Sequence, residues 1–433
     1  MMILAALAAL AVLLAAYIVP AVRRQDFRYR DVLLFAVAFT IPLRGLAVMT
    51  FAGGHVRLGD IFLLLAIEAA ALEWLIADRR VRLTRIDVLL IALILWCFCT
   101  LAWSLDRSFG VTRSITYTRD LLLYGVFAYW SRERFLPAFR AVSAGVVGSF
   151  AYLYFNLALR LAGSDIASDV ASGDAFDLMQ FRGGGGMGGL TFSDGSVLDV
   201  SLWATVAILL WLGFGGWMSL RRAGRVFFVV VMCAMVAIEI VTFSRGGWLG
   251  LAAGIACWVI WIGPELRRKL LVYAVVLLAA GVLLTYQLNL TRVVTKRFEM
   301  FIATKGDKAV DERVEYWLKS FQALEHHPMG VGIGGTNVLF EHRGVWLVHN
   351  LYIQFLTELG PIGLGLLLGI LALVLERTIR AARVLADRWT RIAAASLAAA
   401  IVAYLVTGTT NFDLSDLVIW LVLALASAAP RHG

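Results

Sequence analysis

The amino-acid sequence predicts an all-α, polytopic membrane protein of twelve or thirteen transmembrane helices, with a large outward loop that contains short helices. Three observations carry that prediction: composition, the length of the apolar blocks, and the alternation of basic residues between them. Of 433 residues, 61% are apolar and 16% charged, and mean hydropathy is +0.82. A soluble domain carries about 25% charged residues. A soluble enzyme, a secreted disulfide scaffold and a disordered tail are excluded. The apolar residues fall in blocks of about 17–22, the length that crosses a hydrocarbon core of about 30 Å as a helix.

The blocks lie near 2–20, 31–50, 61–77, 88–104, 117–130, 141–162, 197–216, 226–243, 247–263, 270–287, 350–375, 392–408 and 413–429. Arginines follow the first block rather than precede it (Arg23, Arg24, Arg28, Arg30), which predicts an N-out anchor and argues against a cleaved signal peptide. Basic clusters recur after the third block (Arg79, Arg80, Arg82, Arg85), the fifth (Arg132, Arg134, Arg140) and the seventh (Arg221, Arg222, Arg225). They recur again after the ninth (Arg267, Arg268, Lys269) and the eleventh (Arg377, Arg380, Arg383, Arg388, Arg391). Every second connection is short and basic, the mark of the cytoplasmic side. If the first block is not a span, twelve remain with both ends inside. Cys97, Cys99, Cys233 and Cys257 all fall inside apolar blocks, where buried, reduced, space-filling cysteine is expected.

This divides the chain into N-terminal transmembrane helices over 1–162, a Gly-rich outward loop with central transmembrane helices over 163–287, a large catalytic loop over 288–349, and C-terminal transmembrane helices over 350–433. Long loops in a compact protein are usually functional, so the chemistry is expected on the periplasmic-type face.

Several polar residues stand where they are costly. Arg245, in Ser244-Arg245-Gly246-Gly247-Trp248, occupies a short outer turn between two apolar blocks. An arginine there calls for a lipid phosphate or a bound anion. Arg44, beside Pro42, and Glu68 and Glu73 lie within apolar blocks. They read either as an internal ion pair or as substrate-binding groups. The segment 311–324 is an amphipathic helix, with Val314, Trp317, Leu318, Phe321 and Leu324 on one face that suits a membrane interface. Arg313 at its start is placed to meet phosphate. His349 opens an apolar block beside Asn350; an imidazole at the membrane surface suits a general base, or a helix-terminal hydrogen bond. Four of the six histidines fall in the loop, but no His-Glu-x-x-His or cysteine partner accompanies them, so neither a metal nor another cofactor is expected.

Taken together, these segments resemble the O-antigen ligase and O-antigen polymerase superfamily. His349-Asn350, nine residues, Gly360, two residues and Gly363 fit its His-[Asn/Ser/Gln]-x9-Gly-x-x-[Gly/Thr/Tyr] pattern. Ser244-Arg245-Gly246 looks like its Ser-Arg-Gly turn. Arg313 with Trp317, then His327-Pro328-Met329-Gly330-Val331-Gly332, resembles its Arg-x-x-x-Trp and His-Pro-x-x-Gly-x-Gly stretch. The resemblance covers about 182–375; the first 160 residues match only in hydropathy and span number.

The resemblance implies a GT-C-like helical enzyme of the bacterial inner membrane, with its site facing the periplasm. Its donor is an undecaprenyl-diphosphate-linked glycan, and it uses neither nucleotide sugar nor metal. It gives catalytic roles to His349, Arg245 and Arg313, and substrate contacts are expected at Asn350, Trp317 and His327 and, from their own positions in the sequence, at Arg44 and Arg182. Arg182 precedes the glycine run 183–189, which is neither a P-loop nor a dinucleotide fingerprint. The expected acceptor is lipid A–core, with a second lipid-linked glycan (a polymerase) or a protein as alternatives. A secondary transporter is the contrasting class, but it predicts internal repeats that the sequence lacks. Net charge is +9. Twenty-two basic residues fix orientation, and most of the rest flank the outward loops, so the charge points to the bilayer and a lipid diphosphate rather than to nucleic acid.

Overall fold

The computed structural model describes residues 28–40, 47–51, 54–77, 83–163, 197–218, 222–242, 244–262, 308–340, 348–410 and 416–430, with a few isolated positions between. It is an all-α polytopic membrane protein with one small hairpin. Helix α1 (Arg28–Thr40) is followed by β1 (Ala47–Phe51), β2 (Gly54–Arg57) and α2 (Leu58–Ala77). Next come α3 (Arg85–Thr100), α4 (Arg107–Glu133), α5 (Phe135–Gly163), α6 (Val197–Met218), α7 (Arg222–Val241) and α8 (Arg245–Trp261). The C-terminal part holds α9 (Lys308–His326), the single turn α10 (Thr336–Leu339), α11 (Leu351–Val384), α12 (Arg388–Thr407) and α13 (Leu417–Ala428). Among the described residues, α5, α7, α11 and α12 are by themselves long and apolar enough to cross a bilayer.

The block at 31–50 departs from its expected course. Its helix ends at Thr40, and Ala47–Phe51 instead pairs antiparallel with Gly54–Arg57. Pro42 restrains the residue before it from helical geometry, and the Val-Met-Thr-Phe run favours a strand. Cysteine burial differs as well: Cys97 is buried, whereas Cys99 is exposed.

Small residues bring α8 and α12 together. Gly246, Gly250 and Gly254 form a stripe at every fourth position. A Cβ on Gly250 would lie 2.8 Å from the Ala403 carbonyl oxygen, and one on Gly254 would lie 3.0 Å from that of Ala399. Backbones approach this closely in membranes only where side chains are small. Trp258 Nε1 donates to Ser396 Oγ at 2.9 Å and pins the far part of the same interface.

Several charged pairs lie at the end of the bundle that carries the arginine clusters. Arg30 pairs with Glu73, which also accepts from Trp130 Nε1 at 2.9 Å, and with Glu133 at 2.6 Å. Glu73 is therefore in an internal ion pair, with Arg30 as its partner. Arg44 lies outside the described residues. Asp87 closes a capping box with Thr84 and accepts from Arg132 and Tyr124, each at 2.6 Å.

Also at this end, Asp387 caps α12 by accepting the Trp389 and Thr390 N–H groups. The Thr390 hydroxyl bond, followed by the two backbone bonds, holds the Asp387 carboxyl below its ordinary range. A carboxyl depressed in the folded state stabilises above its unfolded pKa and ceases to do so as pH falls through its folded value. Asp387→Ala is expected to cost about 1 kcal/mol in thermal unfolding at pH 7. The difference from the parent protein should vanish in acid.

Candidate active site

The opposite end of the bundle is organised by a break in α11. Gly360 has φ 67 and ψ −170, and Pro361 follows it, so two helical segments meet at a kink. The break frees carbonyl oxygens that a continuous helix would satisfy. Val331 N–H donates to the Thr357 carbonyl at 2.8 Å, and Trp96 Nε1 donates to that of Leu359 at 2.8 Å.

The glycine-rich stretch 330–335 is thereby docked on the kink and on the α3–α4 connection. Ser104 Oγ donates to the Ile333 carbonyl at 2.8 Å, and Ile333 N–H donates to Thr100 Oγ1 at 3.2 Å. Gly330, Gly332 and Gly334 all have φ between 78 and 85. A Cβ on Gly330 would lie 2.6 Å from the Glu358 carbonyl oxygen. The His-Pro-x-Gly-x-Gly spacing of 327–332 is thus explained by backbone approach.

His349 stands one residue before the cap of α11. It is half-buried, and its φ of 56 makes it the one non-glycine residue with positive φ among those described. A non-glycine residue in that region costs about 1–3 kcal/mol and persists only where its neighbours over-determine it. They do so here. The Val348 carbonyl accepts from Trp317 Nε1 at 3.1 Å, and Val348 N–H donates to Gln354 Oε1 at 2.7 Å. On the other side, Asn350 Oδ1 accepts from the Tyr352 and Ile353 N–H groups, at 3.0 and 3.1 Å. Asn350 Nδ2 donates to the Thr409 carbonyl at 3.0 Å, and Leu351 N–H donates to that of Gly408 at 2.8 Å.

Arg245 reaches the same place from another helix. It is the first residue of α8, half-buried, behind an N-cap formed by Ser244 Oγ and the Gly247 N–H at 3.1 Å. Gly246 packs directly on Thr410, with no room for a Cβ. Thr409 and Thr410, adjacent residues at the end of α12, therefore join the turn of Arg245 to the turn of His349. Two helix N-termini converge there, each contributing positive potential, and Arg245 adds a full charge. The arrangement suits an anion next to a group that can exchange a proton.

The remaining candidates fall as follows. Trp317 is at the centre of the site's frame. Arg313, half-buried, lies one turn earlier on α9 and on the same side as Trp317. His327 is exposed, and its carbonyl accepts the Gly330 N–H at 2.8 Å. Arg182, the glycine run 183–189 and Arg44 lie outside the described residues. The single apolar face read on α9 is divided. Trp317 and Ala323 turn inward, while Val314, Leu318 and Phe321 are 43%, 58% and 48% exposed.

Sequence reasoning missed the Thr407–Thr410 turn and a buried ionic cluster around Glu358. Arg113 Nη1 donates to both Glu358 oxygens, at 2.8 and 2.7 Å. Removing one partner of such a pair costs about 3–5 kcal/mol. Arg113 carried a signal, a charge at the edge of an apolar block, but its partner lies 245 residues away.

Residues 234–368 match the O-antigen ligase family. That range holds Arg245, Arg313, Trp317, His327, His349 and Asn350, and stops short of the Thr407–Thr410 turn. The chain is also similar to the teichuronic acid biosynthesis protein TuaE of Bacillus subtilis (strain 168), with 24% identity over 216 residues. The similarity covers 46% of this chain and 43% of that protein, so less than half of the relative's length is spanned.

Proposed function

From the match of residues 234–368 to the O-antigen ligase family, we propose that this membrane protein transfers a glycan from undecaprenyl diphosphate to an acceptor hydroxyl. The reaction takes place at the periplasmic face of the bacterial inner membrane, and the acceptor is lipid A–core. The observation that supports this most is the convergence of the Arg245 and His349 turns on Thr409 and Thr410.

In this reading the acceptor oxygen bonds to the anomeric carbon as the bond from that carbon to the diphosphate oxygen breaks. The electron pair leaves with the diphosphate. Arg245 and Arg313 hold that group and offset its growing charge. The acceptor's proton passes to the His349 imidazole. Diphosphate is already a good leaving group, so neither a metal nor a covalent intermediate is required. Trp317 and Asn350 hold the His349 turn, while Arg182, Arg44 and His327 contact the glycan or its lipid carrier. The match to the O-antigen ligase family favours this enzyme over a secondary transporter.

A second reading makes the protein a polymerase that joins lipid-linked repeat units. The similarity to a protein named for teichuronic acid biosynthesis favours it, because related chemistry then serves a glycan other than O-antigen. A glycan ladder from cells lacking this protein separates the two. Loss of all capped lipopolysaccharide, with long lipid-linked polymer accumulating, is expected for the ligase. Retention of single-repeat caps would establish the polymerase, and an unchanged ladder would overturn both.

A further inference from the structure

A chain of buried polar side chains runs from α4 to the backbone that carries His349. Glu358 Oε1 accepts from Arg113 Nη1, from Thr336 Oγ1 at 2.5 Å and from Gln354 Nε2 at 2.9 Å. Arg113 Nη2 donates to the Tyr117 hydroxyl at 2.9 Å, which steadies the guanidinium from its other side. Gln354 Nε2 also reaches Thr336 Oγ1 at 3.2 Å. Arg113, Thr336, Gln354 and Glu358 are each at most 6% exposed.

The directions of these bonds follow from the chemistry of the groups. An ionised carboxylate only accepts, so Gln354 must turn its NH2 toward Glu358. Its carbonyl oxygen then faces away, and there it accepts the Val348 N–H at 2.7 Å. Arg113 pairs with Glu358, Glu358 orients Gln354, and Gln354 fixes the peptide next to His349. Apolar residues of similar volume fill such a space without loss of stability. Packing therefore does not explain why the donors and acceptors form a directed series ending one residue before the left-handed histidine.

The geometry points to Gln354, Glu358 and Arg113 as positioning residues that hold His349 in its left-handed conformation by way of Val348. The inference rests on His349 being the proton acceptor proposed above. It adds that the activity of the imidazole depends on an ion pair spanning α4 and α11.

The test uses full-length protein in lipid nanodiscs. Gln354→Met preserves side-chain length and removes both the donor and the acceptor. Thr336→Val removes one donor to Glu358 with little change of shape, and decides the matter if Gln354→Met does not fold. Two quantities are read. One is the rate at which diethyl pyrocarbonate modifies His349 relative to the exposed His327 of the same molecule, followed by mass spectrometry across pH. The other is kcat and KM for transfer from lipid-linked glycan extracted from the source membranes. For Gln354→Met we expect kcat to fall about 10-fold or more, with KM held within about twofold. The His349 to His327 ratio should change by about threefold, and Thr336→Val should move both in the same direction by less. A folded Gln354→Met with the parental ratio and kcat overturns the proposal, as does a folded Thr336→Val that matches the parent. If His349→Asn retains full transfer while Gln354→Met shifts the ratio, the positioning chain stands and the acid–base reading alone is lost.

Discussion

Replacing His349 by asparagine is expected to lower glycan transfer by about 10²–10⁴-fold while leaving the protein folded. The choice of asparagine follows from the backbone. His349 has φ 56, a region in which asparagine is several-fold enriched among non-glycine residues, so the turn keeps its geometry. What disappears is a group able to take up a proton near neutral pH. Alanine at the same position would add backbone strain to the chemical loss and blur the two. Arg245→Gln is the companion variant. It keeps a hydrogen-bonding side chain at the first position of α8 but removes the charge beside the proposed diphosphate, with an expected loss of about 10²–10³-fold. Arg245→Lys should recover only part of that activity, because a point charge does not replace the planar fork. Transfer is measured per folded molecule, with the folded amount taken from gel filtration in detergent. Full activity in both His349→Asn and Arg245→Gln would remove the site from this end of the bundle.

The helical fold was legible because its signals are local. Apolar blocks of the right length mark spans, and His349-Asn350 marks the start of α11 by the hydrogen-bonding preference of the asparagine itself. The limits of that reading are local too. Residues 31–50 have the composition of a span, yet Pro42 and the strand-forming run after it divide them into a helix and a hairpin strand. On α9, a 3.6-residue period shows which residues share a face. It does not show that the Val348 carbonyl would draw Trp317 inward and leave Leu318 outside. The site was legible in part. Arg245, Trp317 and His349 stood out as polar or interfacial residues in costly places, and the structure brings their turns together. Thr409 and Thr410, which join two of those turns, act largely through backbone and close packing and carry no compositional mark. Glu358 and Arg113 were not singled out, and pairing them required the tertiary approach of α4 and α11.

Gly360, the first glycine of the His-Asn-x9-Gly-x-x-Gly pattern, and Gly365, just beyond that pattern, are expected to separate structural from chemical roles through opposite effects along a single helix. At Gly360 the backbone has φ 67 and ψ −170, a region that is essentially glycine-only and costs other residues about 1–3 kcal/mol. A Cβ there would also stand 2.5 Å from the Met329 carbonyl oxygen and 2.6 Å from its carbon. Overlap with well-packed neighbours adds about 1–3 kcal/mol. Gly360→Ala should therefore lower the thermal midpoint sharply and loosen stretch 330–335 from the kink. Trp96 and Val331 would then lose the carbonyls they now satisfy. Five residues on, Gly365 lies in the same α11, and a Cβ there would meet nothing within 4 Å. Alanine at that position only restricts the unfolded chain and improves helix propensity, so Gly365→Ala should stabilise by about 1 kcal/mol. Thermal unfolding of the two variants in one detergent gives the comparison directly. Shifts of the same sign would mean that the kink does not govern this end of the helix. Opposite shifts would assign Gly360 to the backbone that carries the site, and leave the chemistry to His349 and Arg245.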